Sequence, residues 1–270
     1  MKKTKILGLP YGVWMIVFIV FPIFLMFLYA VRNSAGNYTI KNFSDFFSPI
    51  YIRILWDSVY MAGISTVICL VLGYPVAMII SKMPEKKRNI FLVLIIMPTW
   101  MNFLLRTYSW MNILGKNGLI NKFLSLLGMA PMDLLYNDGA VLLGMVYNFL
   151  PFMIYPIYSV LIKISPSYLE AAKDLGANAV KAFIKVTLPL SVPGIITGIT
   201  MVFMPAVSTF VISDLLGGGT HMYMGNLISH QFLQKGDWNF GSAVSFIMMI
   251  VILVVMCITN KFSKTDKESV

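Results

Sequence analysis

Glu170-Ala171-Ala172-Lys173-Asp174-Leu175-Gly176 sets three charges within seven residues of a 270-residue chain that is 58% hydrophobic and only 12% charged. A polar helix between two apolar runs has two readings: an amphipathic segment lying on the bilayer, or a handle for a partner outside it. Covalent chemistry finds little to work with elsewhere. His221 and His230 share one polar segment without a matching set of ligands. Cys69 and Cys257 fall inside apolar blocks and define neither a disulfide framework nor a metal site. No G-x-x-x-x-G-K-[ST] loop occurs, so the chain does not bind ATP by that device.

The elements around this stretch are dictated by hydropathy. A mean value of +0.80 lies far above that of a soluble domain. Apolar blocks over about 9–31, 57–81, 90–111, 139–163, 190–214 and 240–260 are each long enough to cross roughly 30 Å of hydrocarbon as a helix. The expectation is an all-α polytopic membrane protein with six transmembrane helices. The first block exceeds the h-region of a cleavable signal peptide and reads as a retained span. With the N-terminus inside, fourteen cations fall on the cytoplasmic side: Lys2, Lys3, Lys5, Lys82, Lys86, Lys87, Arg88, Lys163, Lys173, Lys181, Lys185, Lys261, Lys264 and Lys267. Six fall outside, and Arg106 lies within the third span, near enough to its outer end to snorkel. The positive-inside rule then puts both termini in the cytoplasm. It also accounts for the net charge of +10 through topology and anionic lipid, without a nucleic-acid partner.

That orientation makes 164–189 the longest cytoplasmic loop. Ser165-Pro166 offers a helix start with a capping hydroxyl and proline at the first position; Ser167 and Glu170 offer an alternative capping box. Gly176 can take positive φ and stop the helix. A second helix over about 178–187 carries Val180, Phe183, Ile184 and Thr187 on one face, and Leu188-Pro189 is expected to end it.

EAAKDLG, followed nine residues later by Val186-x-Leu188-Pro189, resembles the EAA motif of ABC-importer permeases, with Val186 where the family has isoleucine. LGYPVA (72–77), MPTWMNFLLRTY (97–108), LPFMIYPIYS (150–159), LEAAKDLGA (169–177), LPLSVPGI (188–195), SDLLGGG (213–219) and GDWNFGSA (236–243) are similar to the B-type permease subunit of spermidine/putrescine importers. The resemblance implies the type I permease fold, with a core over 57–261, preceded by 1–56 and followed by a tail at 262–270. It implies as partners a second related permease, two cytoplasmic ATPase subunits that bind the ATP, and an extracytoplasmic polyamine-binding protein. The chain itself would carry no cofactor and sit in a bacterial plasma membrane. By matching positions, Glu170, Ala171, Ala172, Asp174 and Gly176 would couple to the ATPases. Glu170 could pair with a partner's cation or cap its own helix.

A polyamine site would combine aromatic faces with carboxylate or amide oxygens. Trp100, Asn102, Tyr147 and Asn148 stand at comparable depth in the third and fourth spans, and Asp214 ends the fifth at the outer mouth. Helix–helix glue competes with a pathway role; glue is preferred for Asn148, the pathway for Trp100. Tyr108 and Trp110 suit an interfacial belt. Two rivals remain: a permease of the same class for another small organic solute, and a gradient-driven carrier. The carrier would want carboxylates at mid-membrane, and none of the eleven acidic residues lies there.

Overall fold

The computed structural model describes residues 9–33 and 35–265, and these are mostly helical, joined by turns and irregular stretches such as 129–134, with a single antiparallel bridge between Arg32 and Tyr38 among them. Lys2, Lys3, Lys5 and Lys267 lie outside the described residues. The elements are α1 (9–30), α2 (Lys41–Phe46), α3 (Pro49–Ser81), α4 (Glu85–Trp100), α5 (Phe103–Leu114), α6 (Leu119–Leu126), α7 (Asp138–Leu161), α8 (Pro166–Asp174), α9 (Ala179–Ser208), α10 (Val211–Gly217), α11 (Met224–Ser229) and α12 (Trp238–Thr265). Five of them, α1, α3, α7, α9 and α12, are long and apolar enough to cross a membrane. Counting the interrupted run from α4 into α5 and α6 as one span brings the number to six.

Two expected spans are built differently. The third is not a straight helix over 90–111: the chain turns by 92° between α4 and the α5–α6 run. Pro98 removes a hydrogen bond near the end of α4, Met101 is extended, and the Asn102 side chain caps α5. The fifth does not run to residue 214. α9 stops at Ser208, and a separate short helix, α10, carries the chain onward at that end of the bundle. Nor does Leu188-Pro189 end a separate loop helix. Leu188 bonds five residues back to the Phe183 carbonyl, and this wider turn displaces the carbonyl that Pro189 would strike, so α9 runs on through it, 30 residues in all. The same device precedes Pro22, where Phe21 bonds to the Ile16 carbonyl within α1.

Lipid tails are as apolar as leucine, so the spans associate by close packing rather than by hydrophobic exclusion. α3, α7 and α9 form the centre, with Met153 and Ile157 of α7 wholly buried. Gly194 and Gly198, one turn apart on α9, let it reach α7. A Cβ at Gly194 would stand 2.9 Å from the Pro156 carbonyl oxygen, and one at Gly198 would stand 2.6 Å from the Met153 sulfur. A hydroxyl contact of 2.9 Å between Tyr74 and Ser191 ties α3 to α9. α1 is peripheral, exposing most of its side chains and packing mainly on α12, where Phe27 and Phe246 meet at 5.4 Å between ring centres.

Candidate coupling loop and membrane pathway

The loop after α7 is shaped by short-range bonds. Ser165 caps α8 by accepting from the Ser167 N–H at 3.4 Å, and Pro166 supplies the fixed φ of the first helical position. Ser167 therefore sits inside the helix, its hydroxyl 2.8 Å from that of Ser165, and the alternative box with Glu170 does not form. Glu170 is exposed on α8 with no hydrogen bond or ion pair among the described residues. At the far end the Gly176 N–H bonds to the Lys173 carbonyl at 2.8 Å and the Ala177 N–H to that of Ala172 at 2.9 Å. This paired closure requires a left-handed residue, and Gly176 has φ +79°. Lys173 in the last turn complements the helix dipole.

Asn178 then caps α9 by accepting from the Lys181 N–H at 2.8 Å. The result is an elbow enclosing a cavity of about 400 Å³ beside Ala172, Gly176, Lys181 and Val186. Its outer surface is unusually apolar. Leu175 is 90% exposed, and Tyr168, Val180 and Ile184 are exposed with it. Val180 and Ile184 thus do not share a buried face with Phe183, as periodicity predicts. Ala182 alone is fully buried there, while Phe183 lies half-buried against Tyr74, ring centres 5.7 Å apart. The expected single face is split because the wide turn at Phe183–Thr187 rotates the rest of α9 relative to its first turn.

The residues singled out at mid-membrane do not converge. Trp100 is the last residue of α4, a helix of 16 residues and about 24 Å, rather than the midpoint of a straight span. It is 79% exposed. Asn102 spends its side-chain oxygen on the Leu104 and Leu105 N–H groups at 2.8 and 3.4 Å. Tyr147 packs on Trp110 at 5.2 Å, so the bend brings Trp110 to the fourth span and leaves Trp100 outside. Asn148 is 2% exposed and donates to the Gly144 carbonyl at 2.8 Å, while its oxygen is buried without a partner. Arg106 does not snorkel. The bend carries it inward to 8% exposure, with its guanidinium 5.9 Å from the Phe103 ring and its Nε unpartnered.

Asp214 stands in the first turn of α10 and accepts a short hydrogen bond from Asn226. Asn226 also donates to the Phe210 carbonyl at 3.2 Å and accepts from the Ser213 hydroxyl at 2.8 Å and the Tyr223 N–H at 3.1 Å. Three further contacts stitch this end of the bundle. His221 Nδ1 lies 2.8 Å from Asp138, the Tyr223 hydroxyl donates to the same carboxylate at 3.0 Å, and the Met224 N–H bonds to Ser58 at 2.7 Å. Burial, and then the neighbouring Asp138, hold the Tyr223 hydroxyl well above its ordinary pKa of 10.0. Sequence reading did not pick out Asn226, Tyr223 or Ser58, since none belongs to a spacing pattern. Gly194 and Gly198 do: small residues four apart on an apolar helix are a packing signature.

A bundle of interrupted spans with an exposed elbow on one side is the architecture of an ABC-importer permease. The chain resembles, with a TM-score of 0.82 and 18% identity, a chain in the crystal structure of a bacterial ABC transporter involved in the import of the acidic polysaccharide alginate; the match covers 97% of this chain and 95% of that one. Over 266 residues it is 40% identical to the spermidine/putrescine transport system permease protein PotB of Haemophilus influenzae, covering 94% and 93% of the two chains. It is 38% identical to the protein of the same name from Escherichia coli, covering 95% and 96%. Residues 70–264 match the binding-protein-dependent transport system inner membrane components, and the chain belongs to that family. It is a permease subunit and not an enzyme; ATP hydrolysis belongs to a separate subunit.

Proposed function

We propose that this permease moves polyamines of the spermidine/putrescine class into the cell, with both termini and the 164–189 elbow in the cytoplasm. The substrate class is carried by identity near 40%, spread over nearly the whole chain, to permeases named for spermidine and putrescine. A second permease completes the pathway through the core at 57–261, and an extracytoplasmic binding protein delivers the substrate. Two ATPase subunits bind the ATP and grip α8 as a helix in a groove. The exposed apolar surface around Leu175 supports that contact, and the free carboxylates of Glu170 and Asp174 suit cations on the groove wall. Ala171 and Ala172 allow close approach. Trp100, Tyr147 and Asp214 are the pathway residues we favour, because each leaves an aromatic face or a carboxylate accessible to an ammonium group. Asn102 serves as a helix cap, and Asn148 bonds within its own helix.

The test is uptake of labelled spermidine by a transport-deficient strain carrying the complete operon. Gly176→Val should abolish uptake together with ATPase co-purification. Trp100→Ala should weaken uptake with the complex intact. Normal uptake by the Gly176→Val protein would overturn the coupling role of the elbow. Uptake of other solutes but not of polyamines by the intact protein would overturn the substrate class.

A further inference from the structure

A second cavity lies between the elbow and the membrane. It holds about 670 Å³ and opens where α3, α7 and α4 meet the loop. Lys82, Arg88 and Lys173 contribute its charge, from the end of α3, the start of α4 and the last turn of α8. Met78, Leu161 and Phe183 contribute apolar wall. No acidic side chain lines it. Glu85 and Glu170 lie three residues from Arg88 and Lys173 along their own helices, yet neither forms an ion pair with them among the described residues. The Nε of Arg88 is buried and has no hydrogen-bond partner. Three cations converge on one half-open space, Lys82 and Lys173 exposed and Arg88 partly buried; they repel each other, and a buried guanidinium N–H without an acceptor is costly. Both penalties are relieved by a single ligand carrying an anionic oxygen group.

The position of the cavity selects that ligand. It sits where α3 and α7 end and α4 begins, and its lining joins apolar Met78 and Leu161 to the three cations; the ends of membrane-spanning helices are where lipid headgroups lie. We propose that the cavity binds an anionic phospholipid, the phosphate seated between Lys82, Arg88 and Lys173 and an acyl chain lying along Met78 and Leu161. Basic pockets between spans on the cytoplasmic side are suited to such headgroups. Because Lys173 belongs to α8 while Lys82 and Arg88 belong to the bundle, the lipid bridges the elbow to the spans it moves. The inference takes only the leaflet from the function proposed above, and lipid binding is measured without transport, so either can fail alone.

The experiment uses the full-length chain with its partner subunits in nanodiscs containing phosphatidylglycerol that bears a photoactivatable headgroup, with mapping of the labelled peptides. Label is expected in 78–88 and 161–173. It should be weak when phosphatidylcholine with the same headgroup probe replaces it. Excess inorganic phosphate should not compete. Lys82→Gln and Arg88→Gln should each cut labelling about fivefold, the effect of one cation near an anionic surface. Lys163→Gln, an exposed cation that does not line the cavity, should leave it unchanged. Equal labelling by the neutral lipid, label confined to other peptides, or undiminished labelling of both variants overturns the proposal. Competition by inorganic phosphate also overturns it, assigning the cavity to a free anion. Mapping on the unaltered protein decides the matter even if a variant fails to fold.

Discussion

The two ends of the molecule are held by different kinds of bond. At the elbow every stabilising hydrogen bond is local, from Ser167 to Ser165, Gly176 to Lys173, Ala177 to Ala172 and Lys181 to Asn178. At the opposite end the bonds join residues far apart in sequence: Asp138 to His221 and Tyr223, and Ser58 to Met224. Local bonds build a rigid projection whose shape owes little to the bundle, and it leaves Leu175 uncovered for a partner. Long-range bonds build a clamp, which fixes the relative positions of the spans it connects. Each clamp bond is modest. The half-exposed pair of His221 and Asp138 contributes at most about 1 kcal/mol, and the buried bond to Ser58 about 1 kcal/mol. A clamp of several weak bonds can be opened by conformational change, whereas the handle has to keep its shape through the cycle.

The largest effect should therefore come from the handle and leave the clamp untouched. Gly176→Val forces a β-branched side chain to φ +79°, at a cost of about 1–2 kcal/mol, and should disconnect the ATPases altogether. Gly176→Asn should retain most of the co-purifying ATPase, because asparagine tolerates left-handed backbone. Equal loss in the two variants would mean that contact at this surface, and not the shape of the corner, is what matters; nothing stands within 4 Å of a Cβ here, so shape is the expected determinant. Ser58→Ala reverses the pattern. It leaves the buried Met224 N–H without an acceptor and should cost about 1–3 kcal/mol. The melting temperature of the purified chain should fall while ATPase association persists. A fall in association with an unchanged melting temperature would erase the distinction between the two ends.

The same division explains how much was legible in the sequence. Ser165, Pro166 and Gly176 act within a few residues of themselves, so their roles could be read from spacing alone, as could the six apolar blocks. The α4–α5 turn was also written locally, in Pro98 followed by Asn102, but a window of apolar residues conceals it, and Asn102 looked like a pathway residue instead of a cap. The end of α9 was not legible. Thr209 is extended with no proline or glycine beside it, and what bears on that break is Gly225, whose missing Cβ lets α11 come within contact of the Ser208 and Thr209 carbonyls. Arg106 was misplaced for a related reason. Snorkelling was argued for a straight helix, and a 92° turn buries the residue instead.

The smallest effect tests the clamp through a single proton. The Tyr223 hydroxyl donates to Asp138 at 3.0 Å, and burial raises its pKa above the ordinary 10.0. A raised folded-state value means that the folded protein keeps this proton at pH values where the unfolded chain has released it. The contribution is complete below pH 10.0 and declines as pH climbs beyond it toward the folded-state value. Tyr223→Phe removes both the bond, worth about 1 kcal/mol, and the titration. At neutral pH the variant should melt slightly below the unaltered protein. Above pH 10 the gap should narrow, since only the unaltered protein loses this contribution. The two proteins share every other side chain, so the difference between the two melting curves isolates Tyr223. Curves that stay parallel through the alkaline range would show that the clamp does not rest on this hydroxyl.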